Sequence, residues 1–193
     1  MKNEIRKKMT KRRESLSQKQ VESKSGAIHK NLFEMPAWNE SAHMMVYLDF
    51  RNEVTTIPLI KTYLRKGKKV YIPVTNPGDY SLTVSELINP VEDLEIGHFG
   101  LKEPRKETLR PANPCLLDLV IVPGVAFDGQ GYRIGLGAGY YDRFLPTLPQ
   151  NTCLISMAYQ FQLINRVPRE SHDIPVQWIV TESQVIHCIE NRR

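Results

Sequence analysis

Cysteine is scarce in this chain, where Cys115, Cys153 and Cys188 lie far apart and form no C-x-x-C pair. Three isolated cysteines argue against a disulfide framework and against a structural zinc site. Long apolar runs are also missing, since none approaches the ~18 residues of a membrane-spanning helix. The first residues are charged, with no apolar stretch behind them, so we expect no secretory signal and a cytoplasmic protein that does not bind membranes.

Net charge is nearly absent outside the amino-terminal segment. The chain carries a formal charge of +5, but residues 1–30 hold ten Lys and Arg against three Glu, and the remainder is slightly acidic. A general nucleic-acid-binding protein more often spreads a basic stripe over its fold. The basic segment therefore leaves three interpretations open: contact with a phosphate-bearing small ligand, contact with RNA, or plain solvation.

The pattern of apolar segments predicts a single α/β domain spanning residues 1–193. Met1–Arg13 favours a helix, and a second helix capped by Ser15 or Ser17 would bury Val21, Ile28 and Leu32. Further along, short Val- and Ile-rich runs alternate with helical stretches. The predicted strands are Met44–Leu48, Lys69–Pro73, an edge strand Ser81–Ser85, Leu119–Val122, Cys153–Ala158, Val176–Val180 and Val185–Ile189. This order predicts a three-layer α/β/α sandwich around a mostly parallel or mixed open sheet.

The chain has its densest glycine run directly after the predicted strand Leu119–Val122. Five glycines fall within eleven residues: Gly129, Gly131, Gly135, Gly137 and Gly139. Glycine lets backbone N–H groups approach a ligand, and Arg133 adds a cation that can fork onto a phosphate. The residues Tyr140–Leu145 look like the first turns of a helix stopped by Pro146, whose amino terminus would favour an anion.

This glycine run fits neither common phosphate-binding fingerprint. No Lys-Ser or Lys-Thr follows it, and Tyr140 stands where a dinucleotide-binding loop needs its last glycine. Two interpretations remain from the residues alone: a phosphate or nucleotide site, or a tight turn that packs a helix on a sheet.

The string Pro123-Gly-Val-Ala-Phe-Asp-x-x-Gly-x-Arg-x-Gly-x-Gly-x-Gly-Tyr-Tyr-Asp-Arg-Phe-Leu145 resembles the signature of the 5-formyltetrahydrofolate cyclo-ligase (methenyltetrahydrofolate synthetase) family. The basic first turn, Asn52-Glu53, Phe99-Gly100-x-x-Glu103-Pro104 and Asp173 extend the similarity over nearly the whole chain. The resemblance implies an ATP- and Mg²⁺-dependent enzyme that closes 5-formyltetrahydrofolate to 5,10-methenyltetrahydrofolate. Its partners would be ATP and a reduced folate, with no nucleic acid, and we expect a monomer.

The resemblance also implies roles for individual residues. The catalytic residues would be Arg133 and Tyr140. The ATP-binding residues would be Lys2, Arg6, Arg133, Gly135, Gly137, Gly139, Tyr140 and Tyr141. The folate-binding residues would be Leu48, Glu53, Phe99, Leu136 and Tyr140. The Mg²⁺ ligands would be Asp142 and Asp173. This chain departs from the family where Leu136 and Ala138 replace a frequent glycine or basic residue, which leaves the backbone donors intact.

Ordinary structural roles compete with several of these assignments. Lys2 and Arg6 share one helix face by their i, i+4 spacing, which a solvated face would also explain. Glu53 would favour the dipole of a helix Val54–Lys66 capped by Asn52. Phe99 would belong to a small satellite cluster of the hydrophobic core. Gln160, at another strand end, is either turned towards the site or solvated. Two other classes of function stay open, a phosphosugar isomerase or acyl-CoA-transferase-like enzyme and a basic nucleic-acid-binding module.

Overall fold

The structure, a computed structural model, describes residues 1–97 and 102–192 of the chain. Its α-helices are α1 (Lys2–Glu14), α2 (Gln18–Phe33), α3 (Pro36–Glu40), α4 (Ile57–Arg65) and α5 (Tyr140–Phe144). Its strands are β1 (His43–Val46), β2 (Lys69–Asn76), β3 (Ser81–Leu87), β4 (Leu94–Ile96), β5 (Lys102–Pro104), β6 (Leu119–Ile121), β7 (Ala126–Phe127), β8 (Arg133–Ile134), β9 (Cys153–Met157), β10 (Trp178–Val180) and β11 (Val185–His187).

Seven of these strands form one mixed sheet in the order β11-β10-β9-β6-β1-β2-β3. The five central strands run parallel to their neighbours, while β3 and β11 close the two edges in antiparallel pairing. Central parallel strands are covered on both faces, which explains the almost unbroken apolar sequences of β1, β6 and β9. The mostly parallel α/β sheet predicted from the sequence is thereby confirmed.

Two apolar clusters cover the two faces of the sheet. Helices α2, α3 and α4 cover one face with fully buried side chains that include Leu32, Trp38 and Ile60. The other face is covered by α5 and the β7–β8 hairpin through Phe144 and Phe127. This second outer layer has one short helix and a hairpin in place of long helices.

Helix α1 lies outside both layers and packs on the β7–β8 hairpin. Its Met9 belongs to a separate cluster with Val125 and Ile134. The hairpin leads from β6 into the glycine run, so α1 lies over the carboxyl ends of the parallel strands. Open α/β sheets bind ligands at that edge.

Several predicted boundaries are confirmed, and two are wrong. Ser17 caps α2 in a reciprocal capping box with Gln20. It is one of the two caps, Ser15 or Ser17, that the sequence predicted. Strand β2 does not end at Pro73, because it continues to Asn76 opposite β3. Beyond Tyr71 it pairs with β3 alone, and proline is tolerated where one side of a strand is unpaired. Helix α4 begins at Ile57, three residues later than predicted.

None of the helices in the described ranges is both long enough and apolar enough to cross a lipid bilayer.

Candidate active site

The last three glycines of the run, Gly135, Gly137 and Gly139, lie in a largely exposed loop between β8 and α5, the glycine loop, while Gly129 and Gly131 lie in the turn of the β7–β8 hairpin. Gly137 and Gly139 have φ angles of +119° and +71°, in the left-handed region that favours glycine. A side chain on Gly139 would also meet the guanidinium of Arg143 at 3.0 Å. Helix α5 has only five residues, so its dipole is weaker than the sequence pattern suggested. Anion binding here must therefore rest on loop amides and on neighbouring cations.

Arg133 is the most firmly held of these cations. Its side chain is only 4% exposed, and Nη2 donates to Asp142 Oδ1 at 2.8 Å while Nη1 donates to the carbonyl of Ile174. Burial lowers the pKa of Arg133, and the Asp142 carboxylate partly offsets that effect. The guanidinium is thus fixed in orientation directly before the glycine loop.

The amino-terminal turn of α1 supplies two further cations, one at this loop and one at the segment that precedes β10. Arg6 Nε donates to the carbonyl of Gly135 at 2.8 Å. Lys2 Nζ lies 2.9 Å from Glu170 Oε1 and 3.0 Å from Asp173 Oδ2. The i, i+4 pair predicted from the sequence therefore lies against the glycine loop and the segment that precedes β10.

The two predicted metal ligands lie in one neighbourhood. The amide of Ile174, the residue after Asp173, donates to Asp142 Oδ1 at 3.4 Å. Burial alone would raise the pKa of Asp173, but the amide of Glu170 and the ammonium of Lys2 outweigh it and hold that pKa below 3.8. No group of three or more His, Cys, Asp or Glu suited to a metal occurs in residues 1–97 and 102–192. Two carboxylates beside a phosphate site are nevertheless a donor set that Mg²⁺ accepts.

The second half of the site is the loop that follows β1. Arg51 and Asn52 adopt left-handed backbone angles, with φ of 45° and 57°, and such strain in non-glycine residues clusters at functional sites. The side chain of Asn52 does not cap α4. It donates instead to the carbonyls of Arg13, Glu14 and Leu16 at the carboxyl end of α1. The loop is therefore fastened to α1, and the predicted capping role of Asn52 is wrong.

Glu53 lies in this loop and pairs with Arg13 of α1. Arg13 Nη1 approaches Glu53 Oε1 at 3.1 Å, and the amide of Phe50 donates to Glu53 Oε2 at 3.1 Å. Burial raises the pKa of Glu53 despite the opposing effect of Arg13. A small cavity beside the pair is bordered by Tyr47 and Gly124. Glu53 therefore faces a cation and a cavity, and it does not support the dipole of α4.

Aromatic side chains border the glycine loop. The ring of Tyr140 lies 5.9 Å from the ring of Tyr80, a residue of the β2–β3 turn. The ring of Tyr141 is partly exposed, yet its hydroxyl oxygen is buried. Leu136 is 73% exposed at the loop, while Leu48 packs partly against the large core cluster.

Two predicted residues remain, Phe99 and Gln160, together with residues that sequence reasoning missed. Phe99 lies outside the described residues. Gln160 accepts a hydrogen bond from Thr181 Oγ1 at 2.8 Å, away from the glycine loop. Sequence reasoning missed Arg13 as a partner of Glu53, although it lies four residues after Met9 on the buried face of α1. It also missed Tyr80 and Arg143, whose guanidinium carbon lies 5.5 Å from the Tyr80 ring.

A larger open cleft lies at the opposite end of the sheet. It is bordered by Met35, Ser41, Asp118, Cys153 and Trp178, close to the amino ends of β1, β6, β9 and β10. None of the predicted ligand-binding residues within residues 1–97 and 102–192 lines it. The converging cations, strained loop and buried carboxylate place the candidate site at the carboxyl edge instead.

Comparisons with known proteins identify the family of the chain. A family model described as the 5-formyltetrahydrofolate cyclo-ligase family matches residues 1–182. The 5-formyltetrahydrofolate cyclo-ligase of Escherichia coli K12 is 36% identical over 141 residues, covering 72% of this chain and 78% of that protein. The NMR structure of Aquifex aeolicus 5,10-methenyltetrahydrofolate synthetase has a TM-score of 0.83 at 35% identity and covers 97% of this chain and 92% of that one.

A structure of 5,10-methenyltetrahydrofolate synthetase from Mycoplasma pneumoniae has a TM-score of 0.75 at 24% identity, covering 94% of this chain and 98% of that one. That likeness supports the fold alone. The family model extends from α1, through the glycine loop, to the strand β10. The chain therefore belongs to the 5-formyltetrahydrofolate cyclo-ligase family.

Proposed function

We propose that the site at the carboxyl edge carries out the reaction of this family, the ATP-dependent closure of 5-formyltetrahydrofolate to 5,10-methenyltetrahydrofolate with release of ADP and phosphate. One observation carries the proposal. Helix α1 carries Arg6 beside the glycine loop, Lys2 beside Asp173 and Arg13 beside Glu53. One helix therefore joins the candidate phosphate site to a buried carboxylate. The family match supports the reaction. It favours neither an isomerase- or transferase-like enzyme nor a nucleic-acid-binding module.

The glycine loop is the nucleotide end of this site. Amides of Gly135, Gly137 and Gly139 can donate to the phosphates of ATP, while Arg133 offers a fixed planar fork. Lys2 and Arg6 close over the same phosphates from α1. Tyr140 and Tyr141 border the nucleotide and the point where the folate meets it.

Asp142 and Asp173 are the residues that would hold Mg²⁺. Mg²⁺ takes one or two carboxylates together with phosphate oxygens and water, and bound there it would neutralise charge on the phosphates. In the structure Arg133 and Lys2 occupy these carboxylates. We infer that binding of the nucleotide draws both cations towards phosphate oxygens, because each cation already lies beside the loop.

The strained loop after β1 is the folate end. Glu53 keeps a second lone pair on each oxygen after binding Arg13 and the Phe50 amide, so it can accept hydrogen bonds from the pterin ring. Leu48, Leu136 and Tyr140 supply apolar contact. Phe99 remains a proposed folate contact on the basis of its sequence motif.

The chemistry needs no covalent bond to the protein. The formyl oxygen on N5 is a poor leaving group, so it first takes the γ-phosphoryl group of ATP and ADP is formed. N10 then attacks the formyl carbon, the N10 proton is lost, and the carbon–oxygen bond breaks as phosphate departs. The protein contributes position and charge stabilisation, since phosphoryl transfer depends on these.

The assay that tests the proposal mixes the purified protein with 5-formyltetrahydrofolate, ATP and Mg²⁺ and follows methenyltetrahydrofolate by its absorbance. We expect product only when ATP is present, with one ADP formed for each methenyltetrahydrofolate. Folded protein that gives no product would refute the assignment. A cytoplasmic location and a monomeric state remain predictions, which cell fractionation and size-exclusion chromatography would test.

A further inference from the structure

The turn between β2 and β3 holds a strained residue that core packing does not explain. Tyr80 has a φ of 58°, in the left-handed region that disfavours any residue with a side chain. Its side chain is 49% exposed, so burial does not offset this strain. Left-handed residues other than glycine cluster at functional sites. The contacts of the Tyr80 ring therefore indicate what the residue does.

The ring of Tyr80 contacts two side chains of α5. The guanidinium carbon of Arg143 lies 5.5 Å from the centre of the ring, which is within the range of a cation–π contact. The ring of Tyr140 lies 5.9 Å away at an interplanar angle of 51°. Tyr80 therefore joins the β2–β3 turn to the helix that follows the glycine loop.

Arg143 in turn holds the last peptide group of the glycine loop. Its Nη1 donates to the carbonyl of Ala138 at 2.8 Å. The guanidinium also approaches Gly139 closely, because a Cβ on that residue would lie 3.0 Å from the same Nη1. The Tyr80 ring, the Arg143 guanidinium and the Ala138 carbonyl thus form one continuous chain of contacts, which we call the loop brace.

Holding that carbonyl fixes the direction of a backbone donor. The peptide group between Ala138 and Gly139 is planar and trans, so the N–H of Gly139 points away from the carbonyl. Glycine adopts either sign of φ, so the peptide groups beside Gly137 and Gly139 can reverse at little cost. A guanidinium bound to the Ala138 carbonyl selects one of the two directions for the Gly139 N–H.

We propose that Tyr80 and Arg143 are positioning residues, which hold the Gly139 amide in the direction that binds a nucleotide phosphate. This role rests on the proposed function, in which that amide is one of the donors to ATP. It extends the site to the β2–β3 turn, outside the glycine-rich segment. Neither side chain needs to contact the nucleotide, and no covalent bond forms or breaks in the loop brace.

Three variants of the β2–β3 turn test this role. Tyr80→Gly removes the ring and should raise KM for ATP by about fivefold, with kcat and KM for 5-formyltetrahydrofolate changed by less than about twofold, because a donor used equally in the ground and transition states affects KM alone. Tyr80→Phe keeps the ring and should keep all three values. Asp79→Ala is the matched control, because Asp79 only accepts a hydrogen bond from the Ser81 amide at 2.9 Å, and it should keep KM for ATP.

Arg143→Ala tests the other half of the loop brace. It should raise KM for ATP about as much as Tyr80→Gly does, and the double variant should rise no further, because both changes break one chain of contacts. Tm of Tyr80→Gly should change by less than about 4 °C, since relief of the left-handed strain offsets the greater freedom of glycine. An unchanged KM for ATP in Tyr80→Gly, an equal rise in Tyr80→Phe, additive effects or a larger fall in Tm would each overturn the inference.

NMR relaxation of the ligand-free protein separates the loop brace from the reaction. The ¹⁵N order parameter of the Gly139 amide should fall from about 0.85 in the wild type to below about 0.6 in Tyr80→Gly and in Arg143→Ala. An order parameter that stays at the wild-type value would overturn the inference whatever the kinetics show. Absence of turnover in the wild-type protein would refute the proposed function instead, and the order parameter would still decide whether Tyr80 and Arg143 hold the loop.

Discussion

The two ends of helix α1 hold the two ends of the site in different ways. At its amino end, Lys2 is 28% exposed and pairs with Asp173 and Glu170. At its carboxyl end, Arg13 is only 4% exposed and pairs with Glu53. Both are basic side chains of one helix, and each pairs with an acid in a loop at the same edge of the sheet. The two basic side chains differ in access to water, whereas their partners Asp173 and Glu53 are similarly shielded, at 11% and 13% exposure.

That difference separates an exchangeable contact from a permanent one. A cation that is partly open to water gains less from its ion pair, so Lys2 can leave Asp173 for a phosphate at smaller cost than Arg13 can leave Glu53. A buried pair strongly resists loss of one partner, because the other charge is left without compensation. We infer that the folate end is preorganised and that the nucleotide end rearranges when ATP binds.

The largest effect should come from breaking the permanent contact. Arg13→Ala leaves the Glu53 carboxylate buried without its cation, and we expect the free energy of unfolding to fall by about 3 kcal/mol in urea denaturation. Arg12→Ala is the matched control, because its guanidinium only lies over the ring of Phe161. We expect that variant to lose less than about 1 kcal/mol. Equal losses in the two variants would show that the Arg13–Glu53 pair is not permanent.

At the nucleotide end, the kcat of Arg133→Lys tests whether the site needs a planar guanidinium at this position. Lysine keeps the charge but cannot hold Asp142, the Ile174 carbonyl and a phosphate with one planar group. We expect kcat to fall by about 10- to 100-fold, which corresponds to about 1.4–2.7 kcal/mol. Arg65→Lys, in the exposed last turn of α4, is the same arginine-to-lysine substitution outside the site and should leave kcat unchanged. A wild-type kcat in Arg133→Lys would show that turnover does not need the guanidinium.

The dependence of stability on pH isolates Glu53. Its folded-state pKa is raised by burial above 4.5, so the folded protein binds this proton more tightly than the unfolded chain does. The contribution of Glu53 to the free energy of unfolding must then fall as pH rises from 4.5 through the raised pKa, by at most about 1.4 kcal/mol per pH unit. Arg13, Asp49 and the hydroxyl groups of Tyr47 and Tyr141 are the groups whose charges or protons act on it.

Denaturation of the wild type and Glu53→Gln at several pH values measures that contribution. The difference in unfolding free energy, wild type minus variant, should decrease with rising pH because glutamine does not titrate. A difference that increases with pH would mean that Arg13 outweighs burial and that the pKa of Glu53 is lowered.

The smallest effect on stability should follow loss of the exchangeable contact. Lys2→Ala should change the free energy of unfolding by less than about 1 kcal/mol, since Lys2 is partly open to water. ATP affinity, measured by calorimetry, should weaken by about fivefold, or about 1 kcal/mol. Lys7→Ala, on the exposed side of the same helix, should keep both values. An unchanged ATP affinity in Lys2→Ala would show that Lys2 does not bind the nucleotide and that the first turn of α1 is only a solvated basic face.

Much of the fold follows from local signals in the sequence. Unbroken Val- and Ile-rich runs predicted the buried central strands. The sequence also predicted the start of α2 near Ser15 or Ser17, and the structure selects Ser17. The spacing of Lys2 and Arg6 put them on one face of α1. Pro73 led to a wrong prediction of the end of β2. A strand tolerates or excludes proline according to which of its sides is paired, and only the order of strands in the sheet decides that.

The sequence by itself determined the parallel α/β sheet, the glycine loop and the set of cations and carboxylates available for phosphate chemistry. The tertiary structure decided which of them meet. Arg13 pairs with Glu53 forty residues away, and Asn52 binds the end of α1 in place of capping α4. Periodicity reports only neighbours three or four residues apart, whereas contacts between distant segments depend on how the layers pack.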